Sequence, residues 1–222
     1  MTSGADRQIV ILLHGFAGAA ILNRPLARML RRAGYRAVEL GYDSWGRSLR
    51  QIRDGLAPRL AQLDSLRPDA LHIVAHSMGG LVARSLIHAE RPKTLGRVVM
   101  LGTPNGGSEI ADFLDRQAML RPLLGRAGPA LVTHRPADIE TLLGEIDYPV
   151  GVIAGNRPIL PIAAARLVPV PSDGKVSVAS TRLSQAADHI VLPLPHGMMP
   201  YHASAHRQIR HFLARGRFDK PR

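Results

Sequence analysis

The sequence predicts an α/β fold: a six-stranded, mostly parallel sheet with helices on both faces and a short helical cap. Three observations predict it. Short apolar runs of strand length recur along the chain, and amphipathic segments with helical spacing fall between them. A strand signal followed each time by a helical one means parallel strands joined by crossovers and covered on both faces. No internal repeat or low-complexity linker breaks the 222 residues, a length that suits one domain. Residues 1–222 are read as that domain, with residues 108–145 as a helical cap or lid inserted in it.

The strands are read as Gln8–Leu13, Tyr35–Gly41, Ala70–Ala75, Arg97–Leu101, Tyr148–Ala154 and His189–Leu194. Pro193 cannot donate to a ladder, so the last run belongs at an edge. Leu22–Ala33 repeats apolar residues at three and four, and Gly34 stops it. Ser48–Leu66 does the same, with Gly55 and Pro58 as bends. Leu81–Ala89 follows the third strand, and Val176–Gln185 and Tyr201–Ala214 cover the last two. Ser108–Glu145 contains helical pieces, Pro122, Pro129 and Pro136, and no strand. It is too long for a simple crossover, hence the insertion.

Composition excludes whole classes of chemistry. The chain has no cysteine, so it has no disulfide framework, Cys-ligated zinc, iron–sulfur cluster or Cys nucleophile. No apolar run approaches the ~18 residues of a membrane span. Met1–Gln8 lacks the basic start and apolar stretch of an export signal, and an unexported, cytoplasmic protein is expected. The formal net charge is +12, from 17 acidic residues against 29 basic ones, of which three are lysines. They are spread along the chain, densest over Arg207–Arg222, and aromatics make up only 4%. A solvated Arg-rich exterior follows, with loose attraction to anionic membrane surfaces. No specific nucleic-acid partner is expected, since base-stacking platforms need aromatics. No His/Asp/Glu cluster has metal-ligand spacing. Asn105-Gly106-Gly107 lacks the Lys-Ser/Thr of a phosphate loop. No metal or cofactor is expected, and the sequence does not fix an oligomeric state.

The sharpest signal is Ala75-His76-Ser77-Met78-Gly79-Gly80, directly after an apolar strand and directly before a helix. A serine presented on so tight a strand-to-helix turn takes a strained backbone, and its neighbours two before and two after must be small. Ala75 stands where the usual pattern has glycine, adding one methyl. The turn also aims the first helix amides at the serine, where they can stabilise an anion.

From the elbow outward the sequence resembles the α/β-hydrolase superfamily, and within it the small bacterial lipases and esterases. The resemblance covers nearly the whole chain. Gln8 to Phe16 is similar to the strand ending in the His-Gly oxyanion loop, and Leu101 to Ser108 to the Gly-Thr-Pro turn of lipases. Pro171 to Val178 resembles the acid loop, and Pro195-His196-Gly197 the histidine loop. Two leading strands of the full superfamily fold are missing, which makes this a minimal version. The resemblance implies that His14 shapes its loop, and that Phe16 supplies one oxyanion-hole amide beside that of Met78.

Position in the sheet selects the rest. Chemistry in an open parallel sheet sits at the carboxyl ends of the strands. Asp147 and Asp188 precede strands, Asp138 lies in the insertion, and Asp43 follows a peripheral strand. Asp173 follows the fifth strand and precedes Gly174, so it can turn back toward the site; an N-cap or turn role is the alternative. Among ten histidines, His72 and His189 lie in strands, and His88, His206 and His211 on helices. His134 is in the insertion, and His76 is too close to Ser77 to curl onto it. His196 follows the last strand with Gly197 next, and His202 is its rival. The order Ser77, Asp173, His196 is that of the superfamily.

These residues point to a serine hydrolase acting on a small-molecule or lipid ester through an acyl-enzyme. Thioesters, amides, acyl transfer to an alcohol and a non-enzymatic binding role use the same constellation or fold. Leu120 and Leu124 of the cap are candidates for an acyl-binding wall, against the plainer reading that the cap leucines only pack. Trp45 reads as core, Thr103-Pro104 as the floor of the site, and Met198 and Met199 as pocket or packing residues.

Overall fold

A computed structural model describes residues 7–159 and 167–220. The strands are β1 (Gln8–Leu13), β2 (Arg36–Leu40), β3 (Ala70–His76), β4 (Leu95–Leu101), β5 (Val150–Gly155) and β6 (Asp188–Leu192). They form one parallel sheet in the order β2-β1-β3-β4-β5-β6. The chain runs outward from β1 to β2, returns across β1 to β3, and then continues in one direction. The order therefore reverses between β1 and β3, which opens a crevice beyond their carboxyl ends.

The period of two along each strand divides the core between two faces. Ile9, Ile11 and Leu13 of β1, with Leu71 and Ile73 of β3, pack under α2 (Leu49–Ser65) and α3 (Met78–Ala89). Val10, Leu12, Val74 and Val99 face the other way, onto α1 (Arg24–Arg32) and α8 (Ala203–Arg215). Gly151 makes room there: a Cβ on it would lie 2.5 Å from the Phe212 ring. Helix α2 starts in a reciprocal cap. The Gln51 amide donates to Ser48 Oγ at 3.3 Å, and the Ser48 amide donates to Gln51 Oε1 at 3.1 Å. Pro58 lies inside α2, which stays one helix.

Between β4 and β5 the chain forms α4 (Glu109–Arg116), a 3-10 turn (Arg121–Leu124), α5 (Gly128–Leu131) and α6 (Ala137–Leu143). The base of this excursion is tied to itself. The Ser108 amide donates to Leu131 O at 2.8 Å, and the Thr133 amide and hydroxyl bond the two oxygens of Asp112 at 2.8 and 2.7 Å.

Two expectations are corrected here. The helix expected over Val176–Gln185 is only α7 (Val178–Thr181). Asp173 folds residues 173–176 into a tight turn, Ser177 caps α7, and Arg182 is already extended. Trp45 is not core: it is 53% exposed, and it is held by its backbone, whose amide donates to Asp43 Oδ1 at 3.1 Å and whose carbonyl accepts the Arg126 amide at 2.8 Å. Among the described residues no helix is long and apolar enough to cross a membrane.

Candidate active site

Ser77 stands between β3 and α3 with φ 54° and ψ −128°, a left-handed conformation that costs a non-glycine residue roughly 1–3 kcal/mol. The surroundings hold it there. Its amide donates to Leu101 O at 2.8 Å, and Thr103 Oγ1 donates to its carbonyl at 3.0 Å. The two glycines after Met78 are required by contact: a Cβ at 79 would lie 2.6 Å from His14 O, and one at 80 would lie 2.1 Å from Thr103 Oγ1. Helix α3 thus begins pressed against the end of β1 and the turn after β4. Ala75 is fully buried in the core above α3, where its extra methyl is accommodated.

His196 and Asp173 reach Ser77 from the loops after β6 and β5. His196 Nε2 is 2.9 Å from Ser77 Oγ, and His196 Nδ1 is 2.7 Å from Asp173 Oδ2. The Asp173 side chain is wholly buried, and its Oδ1 accepts the Lys175 and Val176 amides at 2.9 and 2.8 Å. The two residues are also joined by their backbones, since the His196 amide donates to Asp173 O at 3.0 Å. Gly102, at φ +56°, lets them close: a Cβ there would lie 3.0 Å from Asp173 Oδ2. His202, the rival histidine, is exposed and caps α8 through Ser204.

Two further histidines flank the site as neutral groups. His76 Nε2 donates to the His196 carbonyl at 3.0 Å. Burial, reinforced by the neighbouring His196 and Lys175, pushes its pKa down to about 3, so it fixes the His196 main chain without carrying charge. His14 is held at the start of its loop. Its Nε2 accepts the Tyr42 amide at 3.3 Å, its ring stacks on Tyr42 at 4.1 Å, and the Tyr42 hydroxyl donates to its carbonyl. Burial lowers the pKa of His14 as well. The contacts of Thr103, Tyr42 and His76 were not read from the sequence. The signal available for Tyr42 is its place just past β2, on the same edge of the sheet.

A cavity of about 370 Å³ opens over Ser77 and His196. Its apolar wall includes Phe16, Leu22, Leu114, Leu124, Leu131 and Val176. Leu124 therefore stands where the cap reading put it. Leu120 does not: it lies outside the cavity, before the 3-10 turn. In a 3-10 turn residues three apart share a side. Leu120 thus aligns with Leu123, which is 57% exposed, while Leu124 is rotated inward and buried. Pro104 lines the floor, Met199 is buried beneath Gly102 and Gly155, and Met198 is exposed. Gly15 packs on the serine, with room for no more than a strained Cβ 3.0 Å from Ser77 Cβ. This brings the Phe16 segment alongside Ser77. Met78, as first residue of α3, has no intrahelical acceptor for its amide.

The sheet order, the elbow at the switch point and the insertion after β4 are those of the α/β-hydrolase fold. Within it the chain belongs to the family described as a domain of unknown function (DUF7379), whose family model matches residues 4–153. That stretch contains Ser77 and ends before Asp173 and His196. The chain is 30% identical over 118 residues to a 2-hydroxy-6-oxononadienedioate/2-hydroxy-6-oxononatrienedioate hydrolase of Cupriavidus pinatubonensis, covering 49% of this chain and 40% of that one. A like-named hydrolase of Paraburkholderia xenovorans is 31% identical over 115 residues, 47% of this chain and 39% of that one. The chain thus spans about 40% of the length of these relatives. Among solved structures, the mature lipase BlEst2 of Bacillus licheniformis superposes with a TM-score of 0.74 at 19% identity, covering 92% of this chain and 90% of that one. The metagenomic carboxyl esterase MGS0156 gives 0.68 at 14% identity, covering 86% and 65%.

Proposed function

We propose that the protein is a serine hydrolase that cleaves carboxylic esters through an acyl-enzyme. One observation carries this reading. A hydrogen-bonded line runs from Asp173 through His196 to Ser77 Oγ, and it ends at the floor of an apolar cavity.

The geometry supports the following steps. Ser77 Oγ attacks the ester carbonyl while His196 Nε2, 2.9 Å away, takes its proton. Asp173 accepts from Nδ1, which fixes the ring and stabilises the imidazolium that forms. The oxyanion is assigned to the amides of Met78 and Phe16. His196 then protonates the leaving alcohol, and the same residue activates water to release the acid. The strained backbone of Ser77 keeps Oγ raised toward the cavity. The cavity wall of Leu114, Leu124 and Leu131 suits an apolar acyl chain.

A second reading draws on the relatives, whose names describe hydrolases of oxo-dienedioates. There the same line would act on a ketone rather than an ester. Labelling with a fluorophosphonate, followed by a panel of nitrophenyl esters and vinylogous 1,5-diketones, separates the two. A labelled Ser77 with turnover of simple esters supports the ester reading. A labelled Ser77 that turns over only the diketones replaces it.

A further inference from the structure

The cavity over Ser77 carries one formal charge that the ester mechanism does not use. Among the described residues that line it, Lys175 is the only Lys, Arg, Asp or Glu. Its backbone is pinned on both sides. The amide donates to Asp173 Oδ1 at 2.9 Å, and the carbonyl accepts from Ser108 Oγ at 2.9 Å. The Cα is therefore fixed between the acid turn and the foot of the cap, and only the side chain is free to move.

Among the described residues no carboxylate lies within ion-pair distance of this ammonium. The nearest acid in sequence, Asp173, has one oxygen on two amides and the other on His196, with its side chain fully buried. Glu109, beside Ser108, receives the hydroxyls of Ser177 and Ser180 on Oε1, its Oε2 is buried without a hydrogen-bond partner, and neither oxygen lies within ion-pair distance of Lys175. The two histidines flanking the nucleophile stay neutral, and the charge of Lys175 is among the influences that keep His76 so. Lys175 is thus an exposed cation among the residues that line a mostly apolar cavity, with no ion-pair partner among the described residues.

We propose that Lys175 selects esters whose acyl chain ends in a carboxylate. This rests on the ester-hydrolase reading and names its substrate class: a monoester of a dicarboxylic acid, its carbon chain along the leucine wall and its free carboxylate on the Lys175 ammonium. The apolar wall alone would prefer the uncharged chain, because burying an unpaired carboxylate is costly. The lysine reverses that preference.

The test compares 4-nitrophenyl hydrogen adipate with 4-nitrophenyl hexanoate, which have equal chains and differ in the terminal carboxylate. The readout is the ratio of kcat/KM for the two esters, corrected for spontaneous hydrolysis. In Lys175→Gln the adipate-to-hexanoate ratio should fall about tenfold, the scale of one partly screened ion pair. It should fall further in Lys175→Glu and recover in Lys175→Arg. Raising salt from about 0.05 to about 0.5 M should lower the ratio in the wild type and leave it flat in Lys175→Gln. An unchanged ratio in all three variants overturns the proposal. Calorimetric binding of monomethyl adipate to Ser77→Ala, with and without Lys175→Gln, reads the same contact without turnover. About tenfold weaker binding in the double variant supports the lysine even if ester cleavage itself fails, and equal binding overturns it.

Discussion

Acid should destabilise this protein through a histidine far from the active site. His72 lies in β3, 3% exposed, opposite an irregularity in β4. Gly96 creates the space: a Cβ there would lie 2.5 Å from His72 Nδ1. The ring takes the place of a missing ladder acceptor, since Nδ1 accepts the Arg97 amide at 2.8 Å, and Nε2 donates to Gln8 Oε1 at 3.2 Å. Protonation would set a second N–H against the Arg97 amide. Burial first, and the Arg97 charge second, push the pKa down to about 4 from its ordinary 6.5. The folded state therefore binds this proton less readily than the unfolded chain. The stabilisation is fully present above pH 6.5 and is lost as pH falls toward 4. At about 1.4 kcal/mol per unit, some 2 kcal/mol is gone by pH 5 and about 3 kcal/mol at the limit. His72→Asn removes the titration but places Oδ1 where Nδ1 accepts. Urea unfolding at pH 8 and pH 5 measures both proteins. The variant should start lower, having lost ring packing, yet lose about 2 kcal/mol less than the wild type between the two pH values. Equal losses would refute the account, because the other buried histidines titrate alike in both proteins.

Three further outcomes are expected. Ser77→Ala should abolish ester turnover and fluorophosphonate labelling, and Ser77→Gly should unfold later than Ser77→Ala by about 1 kcal/mol, because glycine tolerates the φ of 54°; matched urea curves measure this, and no difference would mean that the elbow is unstrained. His196→Ala should lose on the order of 10³-fold or more in kcat, while His202→Ala loses less than about tenfold; rates on one nitrophenyl ester decide the ranking. Leu124→Ala should lower octanoyl relative to acetyl ester turnover by about 1–3 kcal/mol of discrimination, while Leu120→Ala leaves the selectivity unchanged.

Much of this was legible in the sequence because the physics is local. A strand covered on both faces must be apolar, so QIVILL, ALHIVA and YPVGVIA mark their own positions to within two residues. Ser77 was legible because a strained turn between strand and helix tolerates only small neighbours. Asp173 and His196 followed from their place after the last two strands. The cap was harder. Pro122 and Pro129 break its helices, so a 3.6-residue phase carried through Leu120 fails where the backbone turns 3-10. Trp45 was misplaced because apolar character alone does not locate a loop residue. Lys175 was passed over because a loop lysine ordinarily points to water. Its backbone bonds to Asp173 and Ser108, which hold it at the cavity, join residues two and 67 positions apart.

The closure of the cap on its own base has a consequence for how such a protein can change. Gly107 lies so close to Thr133 that a Cβ on it would reach within 2.4 Å of Thr133 Cα. With the Ser108–Leu131 and Thr133–Asp112 bonds, this pinches the excursion shut where it leaves the sheet. Beyond the pinch, Phe113, Met119 and Leu123 are exposed. Length and sequence can drift in that outer part while the strands keep their register and the Ser77–His196–Asp173 line keeps its distances. The pinch thus uncouples the outer part of the excursion from the strands and loops that hold Ser77, His196 and Asp173 together.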